Sequence, residues 1–509
     1  MAQSQPKLGR LEPFYGWYKQ VSGNTNQTYL NKMIFSDEIE AFITNYVKDL
    51  NNDSGAIFAG AGLSIPSGFV NWKELLKDLA KEMGLDIDLE NDLISIAQYH
   101  VNENGGNRYG ITRKILEEFT QEVKEGENHK IIARLPISSI WTTNYDKLLE
   151  QALTNEKKNI DVKFKEEQLL YTKPKREVVI YKMHGDISEP GSATITKQDY
   201  EQYFQTHETF INALRGELIT KTFLFLGFSF TDPNLDYVLS RLHLRHGIGK
   251  RQHFCFIKEH KFGDAQNPDE ATYNYNKIKQ KLFINDLKRF NIKSLLIDDY
   301  KDITNVLKEI EFRHNKQSVF ISGSADIYDP FDKPTAMGFV HKLSEILIKN
   351  DFRIVNGFGY GIGSSVINGA LETIYSNPEK YSETQLVIKP FPQFKSGNRE
   401  LEDLWNEYRI NMISKCGISI FLFGNKNNGE IADGVMKEFK LSHNKGLICL
   451  PIASTEYASR EIYNQILAEP TLYYEQPEKI LPYLTILASV ENSVEEKLTA
   501  FQKLLTSLK

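Results

Sequence analysis

Cysteine is scarce: Cys255, Cys416 and Cys449 are the only three in 509 residues, and no two form a C-x-x-C pair. That excludes a disulfide framework and a zinc ribbon, so the three read as small buried apolar residues. Long apolar runs are missing as well. The longest, Thr222 to Phe230, is far too short to span a bilayer, and the opening Met1-Ala-Gln-Ser-Gln-Pro-Lys7 carries no apolar leader. The expected location is the cytoplasm, with no membrane partner; on that expectation the glycosylation-like Asn26-Gln-Thr28 carries no meaning. No charge sign dominates either. A formal net charge of −6 argues against a nucleic-acid partner held by bulk electrostatics, while leaving room for a local basic pocket. With no low-complexity tract, the chain can bury a sizeable core, and its length predicts about two to four domains.

What is present is an alternation of short apolar runs and amphipathic stretches. Gly55-Ala-Ile-Phe-Ala-Gly-Ala-Gly-Leu-Ser64 reads as a buried strand running into a glycine turn that opens a helix. Gly60 and Gly62 lack a Cβ and let the backbone approach a pyrophosphate, and Ser64, Pro66 and Ser67 suit a helix start. Ile65 stands where the dinucleotide fingerprint G-x-G-x-x-G has its third glycine. Taken alone, the turn fits a tightly packed strand-to-helix junction equally well.

Residues 1–35 form a polar extension with isolated aromatics. From Asp37, Ile39, Phe42, Ile43, Tyr46, Val47 and Leu50 follow the helical period. Further helical stripes over 72–83, 92–100 and 111–123 predict a helical insert after the first strand. Strands are expected over 135–146, ending in Thr143-Asn-Tyr-Asp146 with a helix from about Tyr145; over 177–186, ending in His184-Gly-Asp186; over 222–230; and near 252–257 and 293–297. Near 315 the chain turns polar and the pattern restarts, with strands near 319–324, 354–357, 385–391, 417–424 and 447–452. Strands alternating with helices imply parallel sheets with right-handed crossovers, and ligands bind such sheets at the carboxyl ends of the strands. The expected class is α/β: two Rossmann-like, doubly wound parallel-sheet domains, the first with a helical insert, over 36–314 and 315–509.

Gly60-Ala-Gly-Leu-Ser64, Thr143-Asn-Tyr-Asp146, His184-Gly185 and Gly227-Phe-Ser229, in this order, resemble the NAD-binding motifs of the sirtuin family. The longer runs around them, Trp-Thr-Thr-Asn144-Tyr-Asp, Lys-Met-His184-Gly-Asp and Gly227-Phe-Ser-Phe-Thr-Asp-Pro-Asn234, are similar to the sirtuin-like NADase subunit of bacterial Thoeris anti-phage defence, and the C-terminal half resembles its SLOG domain. The resemblance implies that 36–314 cleaves NAD+, as substrate and without a metal, at the nicotinamide bond. It implies that 315–509 senses a cyclic ADP-ribose isomer made by a partner TIR protein, and that the chain forms a homo-oligomer, a tetramer or larger.

Cleavage develops oxocarbenium character on the ribose, so the sugar must be fixed and one hydroxyl or water activated. His184 is the candidate general base, since imidazole titrates near neutral pH and Gly185 beside it admits a ligand. Asn144 offers an amide to hold the ribose or position water, and equally suits a helix N-cap. Gly60, Ala61, Gly62 and Ser64 are expected at the pyrophosphate. The resemblance sets Gly227 and Ser229 on the adenosine side, with Asp232 and Asn234 in that shell or only in the turn at Pro233. Asp146 and His129 are secondary candidates. In the second domain Ser322, Gly323, Gly357, Gly359, Gly361 and Gly363 supply backbone amides for an effector's phosphates, with Lys389, Arg409 and Lys426 as cations and Glu438 beside them. Lys389 stands where related NADases carry an arginine, which puts effector choice in question.

A sirtuin-type deacylase is the rival activity, but the four-cysteine zinc module of those enzymes cannot be built here. Phosphoribohydrolases related to SLOG domains carry a Pro-Gly-Gly-x-Gly-Thr-x-x-Glu loop, which is Gly424-Asn-Lys-Asn-Asn-Gly429 in this chain; that favours sensing over hydrolysis. A non-catalytic nucleotide-binding assembly protein is the third reading.

Overall fold

A computed structural model describes residues 35–230, 232–245, 251–395 and 397–508, so the N-terminal extension lies outside the described residues up to Phe35. The chain divides into two compact units, one spanning Phe35–His314 and one built on Asn315–Lys509. Among the described residues no helix is long and apolar enough to cross a membrane.

The first unit holds a seven-stranded sheet. Its strands are β1 Gly55–Ala59, β2 Ser139–Thr142, β3 Ile160–Lys163, β4 Val178–Lys182, β5 Thr222–Leu226, β6 His253–Lys258 and β7 Ile292–Ile297. They lie in the order β3-β4-β2-β1-β5-β6-β7, every pair parallel. Both faces of a parallel sheet are covered by helices, so its central strands are buried throughout and largely apolar: every residue of β1 and β5 is buried. The order of connection reverses at β1, whose neighbours are β2 on one side and β5 on the other, and loops that part at such a point leave a crevice. Register sets its depth, since Ala59 pairs with Thr142 and Leu226, and Thr142 pairs with Lys182. The residues just beyond these four therefore emerge at one level.

Helix α1 Asp37–Asn51 covers one face through Phe42, Ile43, Tyr46 and Val47. The helical insert comprises α2 Trp72–Glu82, α3 Leu93–Glu103 and α4 Tyr109–Phe119, which bury their stripes in a cluster of their own with Tyr145, Ile187 and Ile195. Next come α5 Glu127–Arg134 and α6 Leu148–Asn155. Two helix starts differ from expectation. The glycine turn opens no α-helix: it continues as 3-10 turns at Ala61–Leu63 and Ile65–Ser67, ended by Gly68 at φ +112°, and α2 begins only at Trp72, where Asn71 and Glu74 form a capping box. After β2 the helix begins at Leu148 rather than Tyr145, because Tyr145 is buried and donates its hydroxyl to the Thr194 carbonyl.

The second unit contains β8 Ser318–Ser324, β9 Arg353–Asn356, β10 Leu386–Ile388, β11 Ile418–Phe423 and β12 Ile448–Pro451. They form a five-stranded parallel sheet in the order β10-β9-β8-β11-β12. Its switch point lies between β8 and β11.

Candidate active site at the carboxyl ends of the first sheet

Gly60, Gly62 and Gly227 bring the loops after β1 and β5 into backbone contact. The Gly60 and Gly62 amides donate to the carbonyls of Leu226 and Gly227, each at 2.9 Å. A Cβ on Gly62 would sit 2.8 Å from Gly227 Cα, and one on Gly227, whose φ is +62°, would sit 2.3 Å from the Leu63 nitrogen. These glycines are required by loop-on-loop packing. Of the first three turn amides only that of Ala61 has no acceptor among the described residues, which leaves it to meet an anionic ligand.

Asn144 joins this turn to the end of β2. Its backbone amide donates to Thr142 Oγ1 at 3.0 Å, and Nδ2 donates to the Gly60 carbonyl and to Ser64 Oγ, both at 3.1 Å. The N-cap alternative is thereby replaced, since α6 starts three residues beyond Tyr145. With both amide protons committed, the Asn144 Oδ1 acceptor remains for a ligand hydroxyl or water.

His184 follows β4 at the same level. Its ring is buried among Tyr200 and Tyr203, and Nε2 lies 3.3 Å from Asp232 Oδ2 and 3.5 Å from Asn234 Nδ2. Burial holds the imidazole below the usual histidine pKa, with Asp232 and Asp199 pulling the other way, so the ring is neutral at physiological pH. The shorter contact selects the tautomer: a neutral ring that donates Nε2–H to the Asp232 carboxylate, rather than accepting from Asn234 Nδ2, carries its lone pair on Nδ1, as a base requires. Asp232 is itself fixed: Oδ1 accepts from the Leu235 amide at 3.0 Å, capping the helix Pro233–Arg245, and Oδ2 accepts from the Tyr200 hydroxyl at 3.3 Å. Asn234 Oδ1 is buried with no partner among the described residues.

The remaining candidates divide. Asp146 Oδ1 accepts from the Leu148 amide at 3.0 Å and so serves the start of α6. His129 is buried on α5, with neither ring nitrogen hydrogen-bonded among the described residues. Ser229 is exposed on the loop after β5. Two participants were missed in the sequence. Tyr200, on the helix Lys197–Thr206, left no local signal. Lys182, the last residue of β4, did: it is a charge inside an otherwise apolar run. Its buried ammonium donates to the Tyr145, Asp146, Glu150 and Asp186 oxygens, and although burial opposes the charge, Glu150 and Asp186 hold its pKa above the usual lysine value.

In the second unit Ser322, Glu438, Arg409 and Phe391 form one contiguous group. Ser322 Oγ donates to the buried Glu438 Oε2 at 2.5 Å, and Arg409 Nε lies 3.3 Å from Oε1. The Arg409 guanidinium stands 5.1 Å from the Phe391 ring centre, and a Cβ on Gly357 would sit 2.7 Å from that ring. Burial pushes the Glu438 carboxyl up. Gly323, Gly359 and Gly361 are packed backbone to backbone, the Gly359 Cβ position falling 1.9 Å from the Gly323 carbonyl oxygen. Lys389, half-buried after β10, donates to Asn411 Oδ1, and burial together with Lys415 holds its ammonium below the usual range. Lys426 is exposed and pairs with Asp433 at 2.8 Å. Asn425, not expected from the sequence, ties the β8 loop by accepting from the Asp326 and Ile327 amides.

Residues 138–282 match the SIR2-like domain family, and 302–508 match the Sir2- and TIR-associating SLOG family. Over 441 residues the chain is 47% identical to a Bacillus cereus protein named NAD(+) hydrolase ThsA, covering 86% of this chain and 91% of that protein. Proteins of the same name from Acinetobacter baumannii and Cytobacillus dafuensis are 42% and 40% identical, covering 92% and 94% of this chain and 98% and 99% of their own lengths.

Proposed function

The chain belongs to the family of SIR2-like, SLOG-bearing proteins named NAD(+) hydrolase ThsA, and from that premise we propose that residues 36–314 hydrolyse NAD at the nicotinamide glycosidic bond. The observation that carries this reading is a buried His184 held by Asp232 at 3.3 Å, emerging at the same level of the sheet as the Asn144 amide. The ribose sits between them. Asn144 Oδ1 accepts from a ribose hydroxyl or the attacking water. As the C1′–N bond breaks, its electron pair leaves with nicotinamide, and water adds to C1′ and releases a proton to His184 Nδ1, giving ADP-ribose. The Ala61 amide serves the pyrophosphate, with Gly60, Gly62, Ser64 and Gly227 shaping the cradle and Ser229 on the adenosine side.

Residues 315–509 act as the sensor. A signal nucleotide of the cyclic ADP-ribose type, made by a TIR-domain partner, binds near Ser322, Arg409 and Glu438, with Lys389 toward its phosphates. The description of the family as TIR-associating supports this source. Binding favours an active assembly of a homo-oligomer, which requires the nucleotide to bind that assembly more tightly than the resting one. Nicotinamide and ADP-ribose separated by chromatography after incubation with NAD and a panel of cyclic ADP-ribose isomers test the catalytic half. Both products are expected from the wild-type chain and neither from His184→Ala. A His184→Ala chain that still cleaves NAD removes the assigned base.

A further inference from the structure

Lys182 closes β4 two residues before His184, and its side chain is wholly buried. A buried ammonium is costly unless it is paired and fully hydrogen-bonded, and this one meets four acceptors: Tyr145 O at 3.1 Å, Asp146 O at 2.5 Å, Glu150 Oε1 at 3.0 Å and Asp186 Oδ2 at 2.5 Å. Their origin matters more than their number. Tyr145 and Asp146 directly follow Asn144, Glu150 lies on α6 behind that loop, and Asp186 directly follows Gly185 in the His184 loop. Asp186 Oδ1 also accepts from the Ser188 amide at 2.8 Å, and Lys147 Nζ stands 3.7 Å from it. The same two loops meet through the Ile187 amide, which donates to the Tyr145 carbonyl at 3.1 Å. One ammonium thus gathers the backbone after one candidate catalytic residue and the carboxylate after the other.

Resting on the reading of His184 and Asn144 given above, we infer that Lys182 is a positioning residue of the hydrolytic site, fixing the separation of Asn144 and His184 by tying their loops together from beneath. It touches no substrate. The arrangement explains why a charge interrupts Val178-Val-Ile-Tyr181: three protons radiating from one nitrogen can serve acceptors converging from two loops and a helix. A guanidinium keeps the charge but spreads its donors over a planar fork, so it cannot meet the same convergent set. The loops then settle apart, and a misplacement of about 1 Å costs roughly 10²-fold in rate.

The test compares full-length wild type, Lys182→Arg and Asp186→Asn by melting temperature, by the thermal shift NAD induces, and by kcat and KM for nicotinamide release, assayed with the cyclic ADP-ribose isomer that gives the fastest wild-type rate. The expected result for Lys182→Arg is a folded chain whose kcat falls about 30-fold or more while KM stays within about 3-fold. Unchanged kcat overturns the assignment. So does a loss of activity that tracks the loss of folded, NAD-binding protein, since that marks Lys182 as merely structural. Should Lys182→Arg fail to fold, Asp186→Asn decides: it keeps the side-chain shape, leaves the Tyr145 and Asp146 contacts and reduces the ionic tie to the His184 loop to at most a neutral hydrogen bond. A kcat loss of about 10-fold at constant KM is then expected, and an unchanged kcat overturns the proposal. Absence of release by the wild-type chain would overturn the reading of the site and this assignment with it.

Discussion

His184 Nε2 stands 3.3 Å from Asp232 Oδ2, so an imidazole following β4 is oriented by a carboxylate from the loop after β5. Asp232→Asn keeps the cap on the helix Pro233–Arg245, because asparagine caps as well as aspartate, but its amide no longer selects the tautomer with a free Nδ1. The expected outcome is a kcat for nicotinamide release lowered by about 10²-fold, with a melting temperature within a few degrees of wild type.

The same pair sets a pH dependence. Burial depresses the His184 pKa below its ordinary 6.5, so activity should hold from neutral pH down past 6.5 and fall only as the depressed pKa is crossed. Stability follows the matching sign. Below about pH 6.5 the unfolded chain takes up a proton that the folded site refuses, so this histidine's contribution is present at neutral pH and lost as pH falls. His184→Phe should flatten that part of the stability profile, read as melting temperature against pH.

Asn144 is assigned through its donors. Asn144→Asp keeps the shape but loses the bond to the Gly60 carbonyl, turning a carboxylate toward that carbonyl, and reverses the bond with Ser64, whose hydroxyl must then donate. Loss of nicotinamide release by roughly 10² to 10³ is expected, with the fold retained by circular dichroism. Wild-type turnover by Asn144→Asp would contradict the assignment.

Gly227→Ala tests the loop packing. The added Cβ falls 2.3 Å from the Leu63 nitrogen at φ +62°, so a destabilisation of about 2 kcal/mol or more is expected in urea unfolding of the first unit. NAD-induced stabilisation should disappear with it.

In the second unit Arg409→Ala strips the cation from the buried Glu438 and bares Phe391. The effector concentration for half-maximal activation should rise at least about 10-fold. Lys426→Ala, by contrast, removes an exposed pair with Asp433 and should leave that concentration unchanged.

Much of the fold was legible in the sequence because its inner strands are apolar on both faces: Ala56 to Ala59, Phe223 to Leu226 and Ile418 to Phe423 announce themselves. Strand β3 did not, since Ile160-Asp-Val-Lys163 lies at a sheet edge and alternates. The residues after Gly62 looked like a helix start because Ser64 and Pro66 favour one, yet contact with Gly227 commits them to 3-10 turns. His184 and Asn144 were visible as polar residues ending apolar runs. Their supports were less so: Asp232 reaches His184 from a separate loop, and Lys182 showed only as a charge in an apolar run, since its acceptors converge from elements no local pattern joins.

Nicotinamide release from NAD by the full-length chain, with and without a panel of cyclic ADP-ribose isomers and alongside Asn144→Ala, tests the account most directly. Release that depends on one isomer and vanishes in Asn144→Ala is the predicted result; no release under any condition, or equal release by the variant, would contradict it.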